Sequence, residues 1–124
     1  MAFVRHYFAV VDYAYATGDT APLAAISDPE CAPCAGIRNM IDTTMAAGGS
    51  YEVGLTRVSE LNVPDGEPVG AAKVTVTYSS PVAREVDKDG GQTRIFAAVE
   101  GRAHQIILEP RGSSWLVRDS GNVT

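Results

Sequence analysis

Met45-Ala46-Ala47-Gly48-Gly49-Ser50-Tyr51-Glu52-Val53-Gly54-Leu55 marks the point where the chain changes its period. Before it, Ile37, Met40, Ile41, Thr44 and Met45 recur at steps of three and four, which predicts a helix from about Pro33 to Ala47. Gly48-Gly49 ends that helix. After it, Tyr51, Val53 and Leu55 alternate with other residues at a step of two, the spacing of a half-buried strand. Helices therefore precede the switch and strands follow it, which is the order of an α+β domain.

Upstream, Val4, Tyr7, Phe8, Val11, Ala14 and Tyr15 share one face of a first helix over Phe3 to Ala16, with Arg5, Ala9, Asp12 and Ala16 largely on the other. Thr17-Gly18-Asp19 stops it, and Gly18 suits a left-handed C-terminal position. Asp19 or Thr20 caps a short second helix, Ala21 to about Ser27, with Pro22 in its first turn and Leu23 and Ile26 buried. Ser27-Asp28-Pro29 breaks the chain before the third helix.

Downstream, the alternation slips near Arg57-Val58, as a bulge would make it. Pro64-Asp65-Gly66 reads as a turn. Ala72 to Val86 is the clearest strand: Val74, Val76, Tyr78, Val82 and Val86 face one way, Lys73, Thr75, Thr77, Ser79 and Glu85 the other, with Pro81 as a kink. Asp87-Lys88-Asp89-Gly90-Gly91 is a hairpin signal. A long strand from Gln92 to Glu109 should bend at Gly101, and Pro110 to Ser113 turns into a last strand, Ser114 to Arg118. There Trp115 and Val117 share a face that should pack under the first or third helix. The expectation is one domain over residues 1–124: three helices on the concave side of a curved antiparallel sheet of about four long strands.

Composition narrows the function classes. Of 124 residues, 45% are hydrophobic and 20% charged, enough apolar material for one core. The net charge is −5 and the ten basic residues are scattered singly, so nucleic acid is not an expected partner. No run of 18 apolar residues exists, so no membrane span is expected. The chain opens on an amphipathic pattern with no export-signal composition, which fits a cytosolic protein or a piece trimmed of its signal. No GxSxG, P-loop, HExxH or GxGxxG occurs, and no cofactor is expected. Cys31, Cys34, His6 and His104 show no metal-ligand spacing.

Three features invite chemistry. Cys31-Ala32-Pro33-Cys34 opens the third helix: either a redox pair whose thiol is acidified by the helix dipole, or a structural disulfide fixing the helix start. A thioredoxin-like site needs a strand running into the motif, and here a helix and a Ser-Asp-Pro break precede it, which favours the disulfide. Asp12 and His104 could act as an acid–base pair if the fold joins them. Tyr7, Val11, Tyr15, Val74, Val76 and Tyr78 are the residues expected on the wall of a cavity between the first helix and the sheet, with tyrosine bodies inward and hydroxyls free for a ligand.

The run Tyr13-Ala14-Tyr15-Ala16-Thr17-Gly18-Asp19, the short helix through Leu23 and Ile26, and Ser27-Asp28-Pro29 resemble the nuclear-transport-factor-2-like superfamily. That group includes SnoaL-like polyketide cyclases, ketosteroid isomerases and scytalone dehydratases. The resemblance implies a cone-shaped fold and, in the isomerases, a helix-one tyrosine and an aspartate base. Counting from Gly18-Asp19, those positions hold Val11 and, at or near, Ile37, so both roles stand vacant. A narrower resemblance, through Tyr13 to Thr20 and Ser27 to Cys34, is to a family of uncharacterised actinobacterial lipoproteins. It implies a cell-envelope or secreted location, with any membrane attachment through a lipid anchor outside this chain.

Three functions follow as expectations: a non-catalytic domain binding a small apolar ligand or a protein, a cyclase- or isomerase-like enzyme, and a structural module that dimerises through the sheet face.

Overall fold

A computed structural model describes residues 2–63 and 72–122; the turn expected at Pro64-Asp65-Gly66 lies outside them. Helix α1 spans Ala2–Thr17, α2 Ala21–Ala25 and α3 Ala32–Ala46. Gly18 ends α1 at φ +78°, its N–H donating to the Ala14 carbonyl at 2.8 Å. A side chain there would also meet the flexible side chain of Met45 of α3 at 2.6 Å, but it is the left-handed backbone that calls for glycine. Asp19 Oδ1 accepts the Ala21 N–H at 3.1 Å, and Thr20 Oγ1 donates to Asp42 of α3 at 2.9 Å. The two candidate cap residues therefore divide the work: Thr20 stands at the N-cap of α2 and ties it to α3, and Asp19 supplies the side-chain acceptor for its first N–H.

Cys31 is the N-cap of α3, and its sulfur accepts the Cys34 N–H at 3.3 Å. The two cysteines form a disulfide with their Cα atoms 5.3 Å apart, and both are buried. The link is local, so it holds the first turn of α3 rather than joining distant elements.

Among the described residues seven strands follow where four were expected, because three of the four break once: β1 Ser50–Glu52 and β2 Arg57–Asn62, β3 Ala72–Ser80 and β4 Ala83–Val86, β5 Gln92–Phe96 and β6 Val99–Arg111. Only β7, Ser114–Asn122, runs unbroken, and it extends four residues beyond its expected end at Arg118. The breaks align. Residues 53–56, Pro81-Val82 and Ala97-Ala98 form a crease between a four-stranded sheet ordered β2-β3-β6-β7 and a three-stranded sheet ordered β1-β4-β5, all antiparallel. Gly54 lies against Pro81 so closely that a Cβ would sit 2.5 Å from its ring.

The crease corrects several expected positions. Proline has no N–H to give a ladder, so pairing stops at Pro81 and the inward face changes phase. Glu85 is then buried and Val82 is 47% exposed, the reverse of the expected alternation. Leu55, expected in a strand, lies in the connection between the sheets at 78% exposure. The slip expected at Arg57-Val58 falls between Val58 and Glu60. Gly101 does not break its strand. It takes φ +58° inside β6, in a bulge opposite Ser79, whose Oγ accepts its N–H at 3.0 Å.

Val4, Leu23, Val74, Val76, Ile106, Leu108 and Val117 fill the core between α1, α2 and the four-stranded sheet. Trp115 and Val117 pack as expected against this layer, Val117 fully buried and Trp115 half-buried. Ala14, Ile41 and Tyr51 form a smaller cluster under α3. The connection after α2 is laced to β7: Asp28 N–H donates to the Val117 carbonyl and Val117 N–H to the Ile26 carbonyl, both at 2.8 Å.

Candidate functional site

The two sheets diverge at the crease, and aliphatic side chains alone do not fill the wide end. A cavity of about 450 Å³ opens there, a size common to small-molecule sites. Helix α1 presents Phe8, Val11, Asp12 and Tyr15 to it, one stripe at steps of three and four. Aromatic rings gather in two groups. Tyr78 lies 5.6 Å from both Phe8 and His104 between ring centroids, and Tyr15 and Tyr51 meet edge to face at 5.2 Å with Phe96 beyond.

Of the residues expected on the wall, Tyr7, Val11, Tyr15 and Tyr78 are there. Val74 and Val76 are not: they lie four and two residues deeper along β3 than Tyr78, at 0% and 1% exposure. At that depth Val4, Ile106 and Leu108 close the cone and leave no space.

Asp12 and His104 both reach the wall, although Asp12 was expected on the outer side of its helix. The fold does not make them a pair. Asp12 accepts the Thr56 N–H on Oδ2 and the Thr56 hydroxyl on Oδ1, both at 2.8 Å. His104 Nδ1 donates to Asn122 Oδ1 at 3.0 Å. Asp12 thus pins the crease to α1, and His104 ties β6 to the end of β7.

Two of the tyrosine hydroxyls, those of Tyr7 and Tyr15, are held protonated. Burial pushes Tyr7 above the usual phenol range, opposed by hydrogen bonding with Ser120. Burial, with the neighbouring Tyr51 and Tyr7, pushes Tyr15 up to about 12, against the pull of Arg94. At neutral pH these groups are donors and weak acceptors, not bases.

The sequence reading missed a network beside the cavity. Glu85 Oε2 accepts the Tyr51 hydroxyl at 2.8 Å and Thr44 Oγ1 at 3.2 Å, while Oε1 accepts Thr93 Oγ1 at 2.9 Å. Arg94 stands 3.9 Å away. Hydrogen bonds from Tyr51 and then Thr93 hold the Glu85 carboxyl below its usual range despite burial. Burial raises Tyr51, with Thr44 opposing and Glu85 reinforcing the rise. Pro81 was the available signal, because a ladder broken there frees the next residues to invert.

Among the described residues no group of three or more His, Cys, Asp or Glu is placed to hold a metal, and no helix is long and apolar enough to cross a membrane.

These features define a cystatin-like, nuclear-transport-factor-2-like cone: helices over a bent antiparallel sheet, with a cavity at the wide end. The chain belongs to DUF6318, a family of unknown function whose model matches residues 1–120. Solved structures share the fold. The intermembrane space region of the chloroplast protein ARC6 aligns at 14% identity over 99% of this chain and 92% of that one, with a TM-score of 0.66. Aln2 from a Streptomyces species aligns at 12% identity over 96% and 85%, with a TM-score of 0.56. A protein with a cystatin-like fold from Caulobacter vibrioides aligns at 14% over 98% and 87%, with a TM-score of 0.54. At such identities the likeness is one of fold. No curated protein matches the sequence.

Proposed function

We propose that this chain is an extracytoplasmic domain that holds a small apolar ligand in the cone and releases it unchanged. One observation carries the reading: the cavity is walled mainly by aromatic and aliphatic side chains, and among the described residues its carboxylate, Asp12, and its imidazole, His104, bond to different partners, Thr56 and Asn122, and not to each other. An acid–base enzyme needs two titratable groups converging on one reacting atom. The disulfide supports a compartment outside the reducing cytosol, and the resemblance to lipoproteins supports attachment to the cell envelope by an anchor outside this chain.

Fluorescent apolar dyes and small steroids should bind with affinities no tighter than micromolar and be recovered chemically intact by mass spectrometry. Turnover abolished by Asp12→Asn or His104→Ala would replace this reading with the enzyme. A protein that binds none of these probes, and elutes as a dimer, would replace it with the structural module.

A further inference from the structure

Among the described residues that line the cavity, Asp12 is the one carboxylate. Asp12 is half-buried, midway along the α1 stripe between Phe8 and Tyr15, and so between the two aromatic groups. Each of its oxygens accepts one hydrogen bond from Thr56, and a carboxylate has capacity for about twice that number. No ion pair reaches it among the described residues. Among the described residues no lysine or arginine lines the cavity. Two guanidinium groups stand beyond it: Arg94 rests against Phe96 at 5.7 Å and faces the carboxylate of Glu85, and Arg5, which shares the adjoining groove with Asp12, donates to the Val58 carbonyl at 3.3 Å.

Such a wall discriminates by charge. An anionic ligand would have to lose its water beside Asp12 with no cation to receive it, which is unfavourable. A cation would meet aromatic rings and a carboxylate that holds no ion-pair partner among the described residues, the kind of surroundings in which proteins hold quaternary ammonium groups. The chain's net charge of −5 works in the same direction.

Resting on the binding role proposed above, we infer that the cone selects an organic cation. Its tertiary or quaternary ammonium sits beside Asp12, and its flat apolar body lies between the Phe8–Tyr78–His104 and Tyr15–Tyr51 rings. Two sources share this chemistry, a free amine and the choline headgroup of a lipid. The headgroup's phosphate would lie close to Asp12 without a counter-charge, which favours the free amine.

Calorimetric titration of the whole chain with three matched probes tests the inference: (1-naphthylmethyl)trimethylammonium, its uncharged carbon isostere 1-neopentylnaphthalene, and 1-naphthylmethanesulfonate. The cation should bind roughly tenfold tighter than the isostere, and the sulfonate weakest. Asp12→Asn, which keeps an acceptor for Thr56, should bring the cation and the isostere to within about twofold. Should that variant not fold, salt decides on the wild type: the cation's affinity must fall as ionic strength rises while the isostere's does not. Equal binding of cation and isostere, or preference for the sulfonate, overturns the cation inference and leaves apolar binding standing. Failure of all three probes overturns the binding role itself. Phosphatidylcholine vesicles that displace the cation would keep the inference and assign the ammonium to a lipid; no displacement assigns it to a free amine.

Discussion

Replacing Tyr51 with phenylalanine removes one oxygen atom and tests the Glu85 network through its pH dependence. The lost hydroxyl donates to Glu85 at 2.8 Å and lies 2.9 Å from Thr44 Oγ1, while the ring still packs between Tyr15 and Phe96. A hydrogen bond to a buried charged group contributes about 1.5–3 kcal/mol, so Tyr51→Phe should destabilise the fold by that amount near neutral pH. The Glu85 carboxyl is held below its usual range, with Tyr51 as the first cause. A carboxylate depressed in this way stabilises the native state fully above the unfolded glutamate pKa of about 4.3. That contribution is lost as pH falls through the lower folded value. The wild type should therefore lose stability on acidification faster than the variant, and the gap between them should narrow below the usual glutamate range. Urea unfolding at neutral pH and at progressively lower pH reads the gap directly, provided the m-value is unchanged. A gap that stays constant across that range would show that the tyrosine does not favour the ionised form of Glu85, and would refute the assignment.

The Cys31–Cys34 bridge should make the untreated protein two hydrogens lighter than the reduced one by intact mass. Because the loop is short, reduction should lower stability by no more than about 2 kcal/mol in a denaturant titration. Trp115→Ala should cost about 3 kcal/mol, the low end for a large aromatic because the ring is only half-buried. Leu55→Ala, at 78% exposure, should change unfolding by less than about 0.5 kcal/mol, and comparable effects at both sites would place the core on the wrong side.

Local chemistry explains what the sequence made legible. Helix starts and stops at Gly18, Asp19, Pro22 and Gly48 depend on neighbours within a turn, and they fall within a residue or two of expectation. The Asp87 hairpin is equally local: its Oδ1 accepts the N–H groups of Asp89 and Gly91, each at 2.9 Å. The crease is not local. Each strand that crosses it keeps an apolar alternation a single long strand would also show, and only the alignment of three interruptions reveals that the sheet divides. That one long-range fact decides that Glu85 turns inward and that Val74 and Val76 stay below the cavity. It also draws Asp12 to the wall, since Thr56, its partner, sits in the crease. Tyr7, Val11, Tyr15 and Tyr78 were visible in advance because they lie on an intact helix and an intact stretch of strand.

The lacing of the α2–α3 connection onto Val117 has a consequence for how copies of this protein behave together. β7 borders the four-stranded sheet, and an open border offers unpaired amides and carbonyls to any passing strand. Here Ile26 and Asp28 occupy the backbone groups of Val117 from outside. At the opposite border, β2 carries exposed Arg57 and Glu60 around its bulge, two features that discourage strand addition. In the smaller sheet, β1 lies against α1 and α3. Among the described residues the remaining border, β5, has Ile95 57% exposed beside the charged Arg94, so self-association by strand pairing would begin there.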